Sequence, residues 1–342
     1  MAGSPQAVFE LPAAALGQAL TPRQRQAFNQ PPEHLPGLIS QATEWLAEPG
    51  HDLLLLGDAD YPAALLATAD PPLLLWLKGR RELLATPALA IVGSRNPTAQ
   101  GEDNARAFAR ALARAGYTIV SGLALGVDAA AHDGALDVGG ATIAVVGTGL
   151  DQVYPRRNEK LAARLLAGAG LIVSEYSLGT PVMQANFPRR NRIIAGLSQG
   201  CLVVEAAVQS GSLITARQAV EAGREVFAIP GSIHSPQARG CHALIRQGAK
   251  LVESAEDVLE ELPPLGVRHP PPTPAPDPSP TPAPHAQQAL LDAMGFDPVN
   301  LDALMARCGW PAAALSAALL ELELDGRVAR LPGQLFQQRQ AG

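Results

Sequence analysis

Six short and almost uninterrupted apolar runs alternate with helical patterns between residues 88 and 254. A strand that is apolar at nearly every position is one that is buried on both faces, as in a parallel sheet covered by helices. The pattern therefore predicts an α/β fold with a doubly wound, mostly parallel sheet. The runs occupy residues 88–93, 117–121, 141–147, 171–175, 201–205 and 225–230.

Three small-residue turns follow strands of this predicted sheet, at the carboxyl ends where such sheets bind their ligands. Glycine allows a close backbone approach to a phosphate, and the free N–H groups at a helix start attract anions. The alternative is that each turn only caps a helix, and Asp128 is interpreted as either such a cap or a ligand contact. The candidate residues are Gly93, Ser94 and Arg95; Ser121, Gly122 and Gly126; and Gly211, Ser212 and Thr215.

The segment 186–192 combines three arginines, two asparagines and one phenylalanine. Arginine binds phosphate through a planar fork of donors, asparagine can contact phosphates or base edges, and an aromatic face can stack an unpaired base. The segment therefore indicates nucleic-acid binding, although a solvated arginine face is the simpler alternative. Its candidate residues are Asn186, Phe187, Arg189, Arg190, Asn191 and Arg192.

The overall composition limits the class of protein. A net charge of −6 argues against a uniformly basic nucleic-acid binder, but the arginine-rich segment contains no carboxylate, so a local positive site is allowed. We expect no membrane span and no export signal, and therefore a cytoplasmic protein. Three cysteines cannot all pair with one another, and no disulfide is expected.

Cofactor, metal and catalytic sites are not supported by the motifs. Gly147-Thr148-Gly149 follows a predicted strand but lacks the third glycine of a dinucleotide fingerprint, and no phosphate-binding Walker loop is present. His234, Cys241 and His242 lack the paired spacing of zinc ligands. His132 with nearby aspartates resembles an ordinary helix start more than a catalytic base. We expect no cofactor, no metal and no catalytic residue.

A proline-rich segment divides the chain. Between residues 263 and 284, 11 of 22 positions are proline, which predicts an extended linker. We expect four parts: a small helical domain of the SAM-like or helix-hairpin type at 1–60, the α/β domain with the arginine-rich segment at 61–262, the linker at 263–284 and a winged-helix-like domain at 285–342. The helix predicted near residues 312–324 is apolar and acidic, so partner binding or packing suits it better than duplex recognition.

Several motifs follow one another in a specific order, at residues 92–95, 121–132, 154–155, 174–176, 186–198, 210–216 and 229–232. In this combination they resemble the DprA/Smf family of DNA-processing proteins. The resemblance covers about residues 61–262.

The resemblance implies an extended Rossmann-like fold that binds single-stranded DNA, forms a homodimer and loads the recombinase RecA onto incoming DNA in natural transformation. Protection of that DNA and contact with a single-strand-binding protein are further expectations. By motif, Arg95 resembles a DNA-backbone arginine, and Arg156 stands where relatives place a basic residue. The family is not known as an enzyme.

The alternative function is a hydrolase of nucleoside monophosphates, since related Rossmann-like proteins cleave the glycosidic bond with a glycine-rich turn and a nearby acid. Here no glutamate follows the 210–215 turn within the next helical turn, and the first is Glu221. A scaffold without DNA affinity is the third possibility.

Overall fold

In the computed structural model of the chain, the described residues are 21–29, 33–263, 290–291, 294, 298–333 and 335–339. Most of the predicted linker at 263–284 lies outside these residues, as do residues 1–20 of the predicted N-terminal domain. The described part contains one large α/β body and a small C-terminal unit.

The body is built on a nine-stranded sheet with the order β1-β2-β6-β5-β4-β3-β7-β8-β9. Strands β3 to β9 run parallel to their neighbours, whereas β1 and β2 add an antiparallel edge next to β6. The strands are β1 His51–Leu55, β2 Leu74–Gly79, β3 Ala88–Val92, β4 Thr118–Ser121, β5 Thr142–Val146, β6 Gly170–Ser174, β7 Gly200–Val203, β8 Glu225–Ala228 and β9 Lys250–Leu251.

Helices cover both faces of this sheet. Their bounds are α1 Pro22–Asn29, α2 Leu35–Leu46, α3 Ala63–Leu66, α4 Ala99–Arg114, α5 Val127–Asp137, α6 Glu159–Ala167, α7 Asn186–Leu197, α8 Ser212–Glu221, α9 Arg239–Arg246 and α10 Ala255–Leu259. Two further turns are 3-10 helices, at Arg81–Ala85 and Arg156–Asn158.

The six apolar runs form strands β3 to β8, so the predicted doubly wound α/β fold is confirmed. Strands β3, β4, β5, β6 and β7 are buried at every position. One core packs α4 and α5 against the sheet, and a second packs α7 and α8 against its opposite face. This two-sided burial is the reason why the runs show no alternation of polar and apolar residues.

The N-terminal boundary needs a correction. The sequence analysis places residues 1–60 in a helical domain, but β1 at His51–Leu55 lies within that range and is the edge strand of the sheet. Residues 53–56 are four consecutive leucines, an apolar run in which Leu54 is fully buried, and the interpretation of the region as helical did not use it. The remaining domain boundaries stay predictions.

The C-terminal unit has the predicted winged-helix fold. It contains α11 Leu301–Cys308, α12 Ala312–Leu324 and a small sheet in the order β10-β12-β11, whose first strand precedes α11. The strands are β10 Val299–Asn300, β11 Val328–Leu331 and β12 Leu335–Gln338. An apolar core of its own, which includes Leu315, Leu319 and Phe336, holds the unit together.

Candidate nucleic-acid interface

A cleft of about 840 Å³ lies at the carboxyl ends of the central strands. Its walls come from the loops after β3 and β7 and from the start of α7. These two strands are neighbours in the sheet but not in the chain, so their loops diverge and leave a crevice between them. Nine of the predicted site residues line it: Gly93, Ser94, Arg95, Phe187, Arg190, Asn191, Gly211, Ser212 and Thr215.

A row of π-faces and one cation forms the accessible wall of this cleft. The guanidinium carbon of Arg95 lies 5.5 Å from the centre of the Phe187 ring, and the Tyr154 ring centre lies 5.7 Å from the same ring on a tilt of 39°. Arg95 is exposed and forms no ion pair with any described carboxylate. Its charge is therefore available to a ligand that also stacks on Phe187.

Arg190 forms the floor of the cleft and is buried, with 4% of its surface exposed. Its Nη1 donates to the carbonyl oxygens of Gly122, at 2.7 Å, and Val145, and its Nε donates to the Asn191 side chain at 2.9 Å. Burial lowers the pKa of Arg190 to about 10, so the group still carries its charge at neutral pH. The arginine ties α7 to the ends of β4 and β5.

In the second predicted turn, backbone N–H groups already donate to a side chain of the protein. The Oδ2 of Asp128 accepts from the N–H groups of Gly122, at 3.1 Å, and Ala124, at 3.3 Å. The Ser121 hydroxyl donates to the Ile91 carbonyl, and a Cβ on Gly126 would lie 2.5 Å from the Ser94 carbonyl oxygen. The expectation that this turn offers free N–H groups to phosphates is therefore wrong, because Asp128 takes those of Gly122 and Ala124. Asp128 therefore has a structural role in the loop that precedes α5, although no side chain caps that helix.

The third turn borders the cleft at the start of α8. Ser210 and Ser212 share a hydrogen bond between their hydroxyls at 2.7 Å, and the Ser212 N–H is bonded to the Ser210 hydroxyl at 3.3 Å. Asn191 donates to the Gly211 carbonyl at 3.3 Å, which joins this turn to α7. Gly211 is exposed, and a Cβ at this position would meet nothing within 4 Å.

Four other predicted residues lie outside the cleft. Asn186 is buried at the start of α7 and donates to the Gly147 carbonyl at 3.0 Å, so it is a structural residue. Arg192 is paired with Asp70, at 3.2 Å, and with Glu175. Arg189 is exposed and borders, with Arg192, a separate depression on the other side of Pro188. Arg156 is exposed at the first position of its 3-10 helix.

Comparison with known proteins identifies the family. The sequence profile described as DNA recombination-mediator protein A matches residues 52–263, and that of the DprA winged helix domain matches residues 271–334. Protein Smf of Escherichia coli (strain K12) is 45% identical over 325 residues, which cover 94% of this chain and 86% of that protein. The chain belongs to the DprA/Smf family.

Two solved DprA structures resemble this DprA/Smf chain. DprA from Streptococcus pneumoniae is 41% identical with a TM-score of 0.67, covering 74% of this chain and 87% of that one. DNA processing protein A from Helicobacter pylori is 32% identical with a TM-score of 0.56, covering 62% of this chain and 97% of that one. The latter structure is described as giving insight into the single-stranded DNA binding mode of that protein.

Several lining residues of this DprA/Smf cleft were not predicted from the sequence. Tyr154 is the most informative, because its ring is 42% exposed beside Phe187. The sequence signal that could have indicated Tyr154 is an aromatic residue in the loop after an apolar strand. Three glutamines also line the cleft, and their amides carry no periodic sequence signal: Gln184, Gln209 and Gln237.

His132 and two of the three cysteines lie in the interior of this DprA/Smf chain. His132 is fully buried in α5, where its Nδ1 lies 2.7 Å from the Thr142 hydroxyl, and burial lowers its pKa to about 3. Because the Thr142 hydroxyl donates to the Ile119 carbonyl, it accepts from the His132 Nδ1–H. Cys201 and Cys241 are buried free thiols whose pKa burial raises to about 12, so neither is an activated nucleophile.

The described residues contain neither a metal-binding cluster nor a membrane-spanning helix. No three histidine, cysteine, aspartate or glutamate side chains within the described ranges are arranged to hold a metal ion. Within the same ranges no helix is both long enough and apolar enough to pass through a bilayer.

Proposed function

We propose that the chain binds single-stranded DNA in the cleft between the β3 and β7 loops. The observation that carries the proposal is the row of Tyr154, Phe187 and Arg95, which presents two π-faces and an unpaired guanidinium on one wall. Bases have π-faces and phosphates have charge, so an unpaired strand satisfies both at once. Duplex DNA hides its base faces within the stack.

Charge supports the same ligand. The cationic residues among the described lining are Arg95 and Arg190, and the acidic one is Asp128, which is buried and accepts from two backbone N–H groups. The site is therefore positive although the chain carries a net charge of −6. A protein with such a site binds phosphates locally and repels them elsewhere, which favours one binding path.

The proposed contacts differ in kind. Arg95 binds the DNA backbone, Phe187 and Tyr154 stack bases, and the Ser212 turn contacts a phosphate through hydroxyls at the start of α8. Arg189 and Arg156, both exposed, contact the strand where it leaves the cleft. No base edge is read in this arrangement, so the sequence preference is weak.

We also propose the cellular role that follows from family membership. A protein of this kind holds incoming single strands, protects them and loads RecA onto them during natural transformation. Its partners would be RecA, a single-strand-binding protein and a second copy of itself, in the cytoplasm. The support is the family match over residues 52–263 and the DprA relatives.

The binding test is fluorescence anisotropy with a labelled oligonucleotide, as a single strand and as a duplex, at two salt concentrations. The expected result is tighter binding of the single strand, with affinity that falls as salt rises because bound phosphates release counterions. Arg95→Ala weakens binding, whereas Arg114→Ala, an exposed arginine at the far end of α4, serves as the matched control. Equal losses in both variants would contradict the cleft assignment.

The rival function is hydrolysis of nucleoside monophosphates, and one observation favours it. Asp128 lines the cleft, and burial raises its pKa, as in a general acid. Against this, its Oδ2 already accepts from two backbone N–H groups. Incubation with the four nucleoside monophosphates decides the matter: release of free base that disappears in Asp128→Asn would replace the binding proposal.

A further inference from the structure

Among the described residues, hydrogen bonds join the C-terminal unit to the N-terminal part of α4. In β12 the Phe336 side chain enters the core of the unit, so its neighbour Gln337 faces the opposite way. Gln337 is nevertheless only 2% exposed, and its Oε1 accepts from the Gln100 N–H at 3.4 Å. The body therefore covers a face of β12 that would otherwise meet solvent.

An ion pair joins the same two surfaces one residue after β12. The Arg339 Nε lies 3.2 Å from Asp103 Oδ2, and its Nη2 lies 3.4 Å from Oδ1. This is a two-pronged contact of the kind that fixes orientation. The two side chains keep 37% and 25% of their surface exposed, so water and salt reach the pair.

Apolar packing contributes little to this contact. The core cluster of the C-terminal unit contains no described residue of the body, and the body clusters contain none of the unit. Between the two lies a cavity of about 480 Å³, bordered by Glu205 and Glu253 from the body and by Pro298 and Gln337 from the unit. Surfaces that leave such a gap are held by their polar contacts.

The covalent connection makes a weak contact sufficient. Residues 264–289 join the body to the unit. Tethering makes docking an intramolecular step whose effective concentration is set by linker length and stiffness, so a contact too weak to form between separate molecules can form within one chain.

We propose that the face of α4 formed by Gln100 and Asp103 is a reversible docking surface for the chain's own winged-helix unit. The docked state is held by the Asp103–Arg339 ion pair and the Gln100–Gln337 hydrogen bond. Docking holds the unit against the body at low ionic strength, and screening of the ion pair shifts the unit to the undocked state as salt rises. The proposal does not depend on DNA binding.

The experiment measures energy transfer between two dyes on the full-length chain without DNA. The labelling sites are Arg114→Cys, at the far end of α4, and Leu320→Cys, on the exposed side of α12, in a Cys308→Ser background. Cys201 and Cys241 are fully buried and stay unlabelled. Circular dichroism checks that each variant is folded.

A charge-swap cycle gives the decisive comparison. Asp103→Arg and Arg339→Asp are each expected to lower the ratio of docked to undocked molecules by about fivefold, which corresponds to about 1 kcal/mol for an exposed pair. The double variant restores the pair and its transfer efficiency. Glu256→Arg, the same charge change at an exposed site of α10, is the matched control and leaves the transfer unchanged.

Three results would overturn the proposal. The first is an energy-transfer efficiency that neither single swap changes. The second is a double variant whose transfer efficiency is no higher than that of the single swaps. The third is a transfer efficiency that depends on protein concentration. The last result would mean that the unit docks on a second copy of the chain.

Discussion

Replacement of Gly122 by alanine tests the role assigned to Arg190. A Cβ on Gly122 would lie 2.1 Å from Arg190 Nη2, 2.4 Å from Cζ and 2.5 Å from Nη1. An exposed arginine would swing aside at little cost. Arg190 is enclosed, however, and its hydrogen bonds to the Gly122 and Val145 carbonyls would break if it moved.

The expected cost can be worked from these contacts. Overpacking of an enclosed site costs about 1–3 kcal/mol, and loss of a hydrogen bond to a buried charged group costs about 1.5–3 kcal/mol. Alanine also lowers the conformational entropy of the unfolded chain, which stabilises the folded state by about 0.4–1 kcal/mol. The net destabilisation of Gly122→Ala is about 3 kcal/mol, equivalent to a fall in Tm of about 6–12 °C for a domain of this size.

Urea unfolding followed by circular dichroism measures this loss of stability. The slope of unfolding free energy against urea concentration is compared between variants. Gly211→Ala is the matched control, because a Cβ there meets nothing within 4 Å and the backbone has φ −61°, which alanine accepts. The control is expected to keep its stability. If Gly122→Ala is as stable as the parent but loses DNA affinity, then the glycine serves the approach of a phosphate and the Arg190 argument is wrong.

Four further predictions concern the cleft and the core. Arg95→Ala is expected to reduce the slope of log affinity against log salt by about 0.7, the value for one phosphate contact on a single strand, in titrations at several salt concentrations. Phe187→Ala is expected to lose about 1–3 kcal/mol of binding energy for homopolymers of any base, with an unchanged Tm as the check against a packing role. Tyr154→Ala is expected to lose a similar amount of binding energy and Tyr154→Phe little, since stacking needs the ring and not the hydroxyl. Equal losses of binding energy in the two variants would refute stacking. His132 has a pKa of 6.5 when unfolded and about 3 when folded, so the unfolded state binds more protons between these values and stability falls as pH drops from about 6.5 toward 3. His132→Gln is expected to reduce that slope by up to about 1.4 kcal/mol per pH unit in urea unfolding at pH 4 to 7.

The central fold was predictable because it depends on burial, and burial leaves a simple pattern. Strands β3 to β8 coincide with the six apolar runs, and their loops converge since parallel strands end at one edge of a sheet. Strand β1 was missed although residues 53–56 are four consecutive leucines, because a short apolar run does not by itself distinguish a strand from a helix. Its pairing with β2 is also non-local information that no short segment contains.

The roles within α7 were less predictable, because arginine and asparagine serve as ligand contacts or as structural donors with the same chemistry. Phe187 lines the cleft wall, Arg190 forms the floor while donating to carbonyls beneath it, and Asn186 lies outside the cleft. One signal was present in the sequence. Positions 186, 190, 194 and 197 follow the spacing of a single helix face, and the last two are Ile194 and Leu197, so the first two also point inward.

The buried position of Arg190 has a consequence for binding at high ionic strength. Mobile ions approach an exposed guanidinium and cancel its field over about 8 Å in physiological salt, but they do not enter the space around a side chain enclosed by backbone. Arg190 therefore acts as a permanent positive charge beneath the cleft surface. A DNA strand bound above Arg190 is therefore expected to keep part of its electrostatic attraction at salt concentrations that screen the exposed cationic side chains.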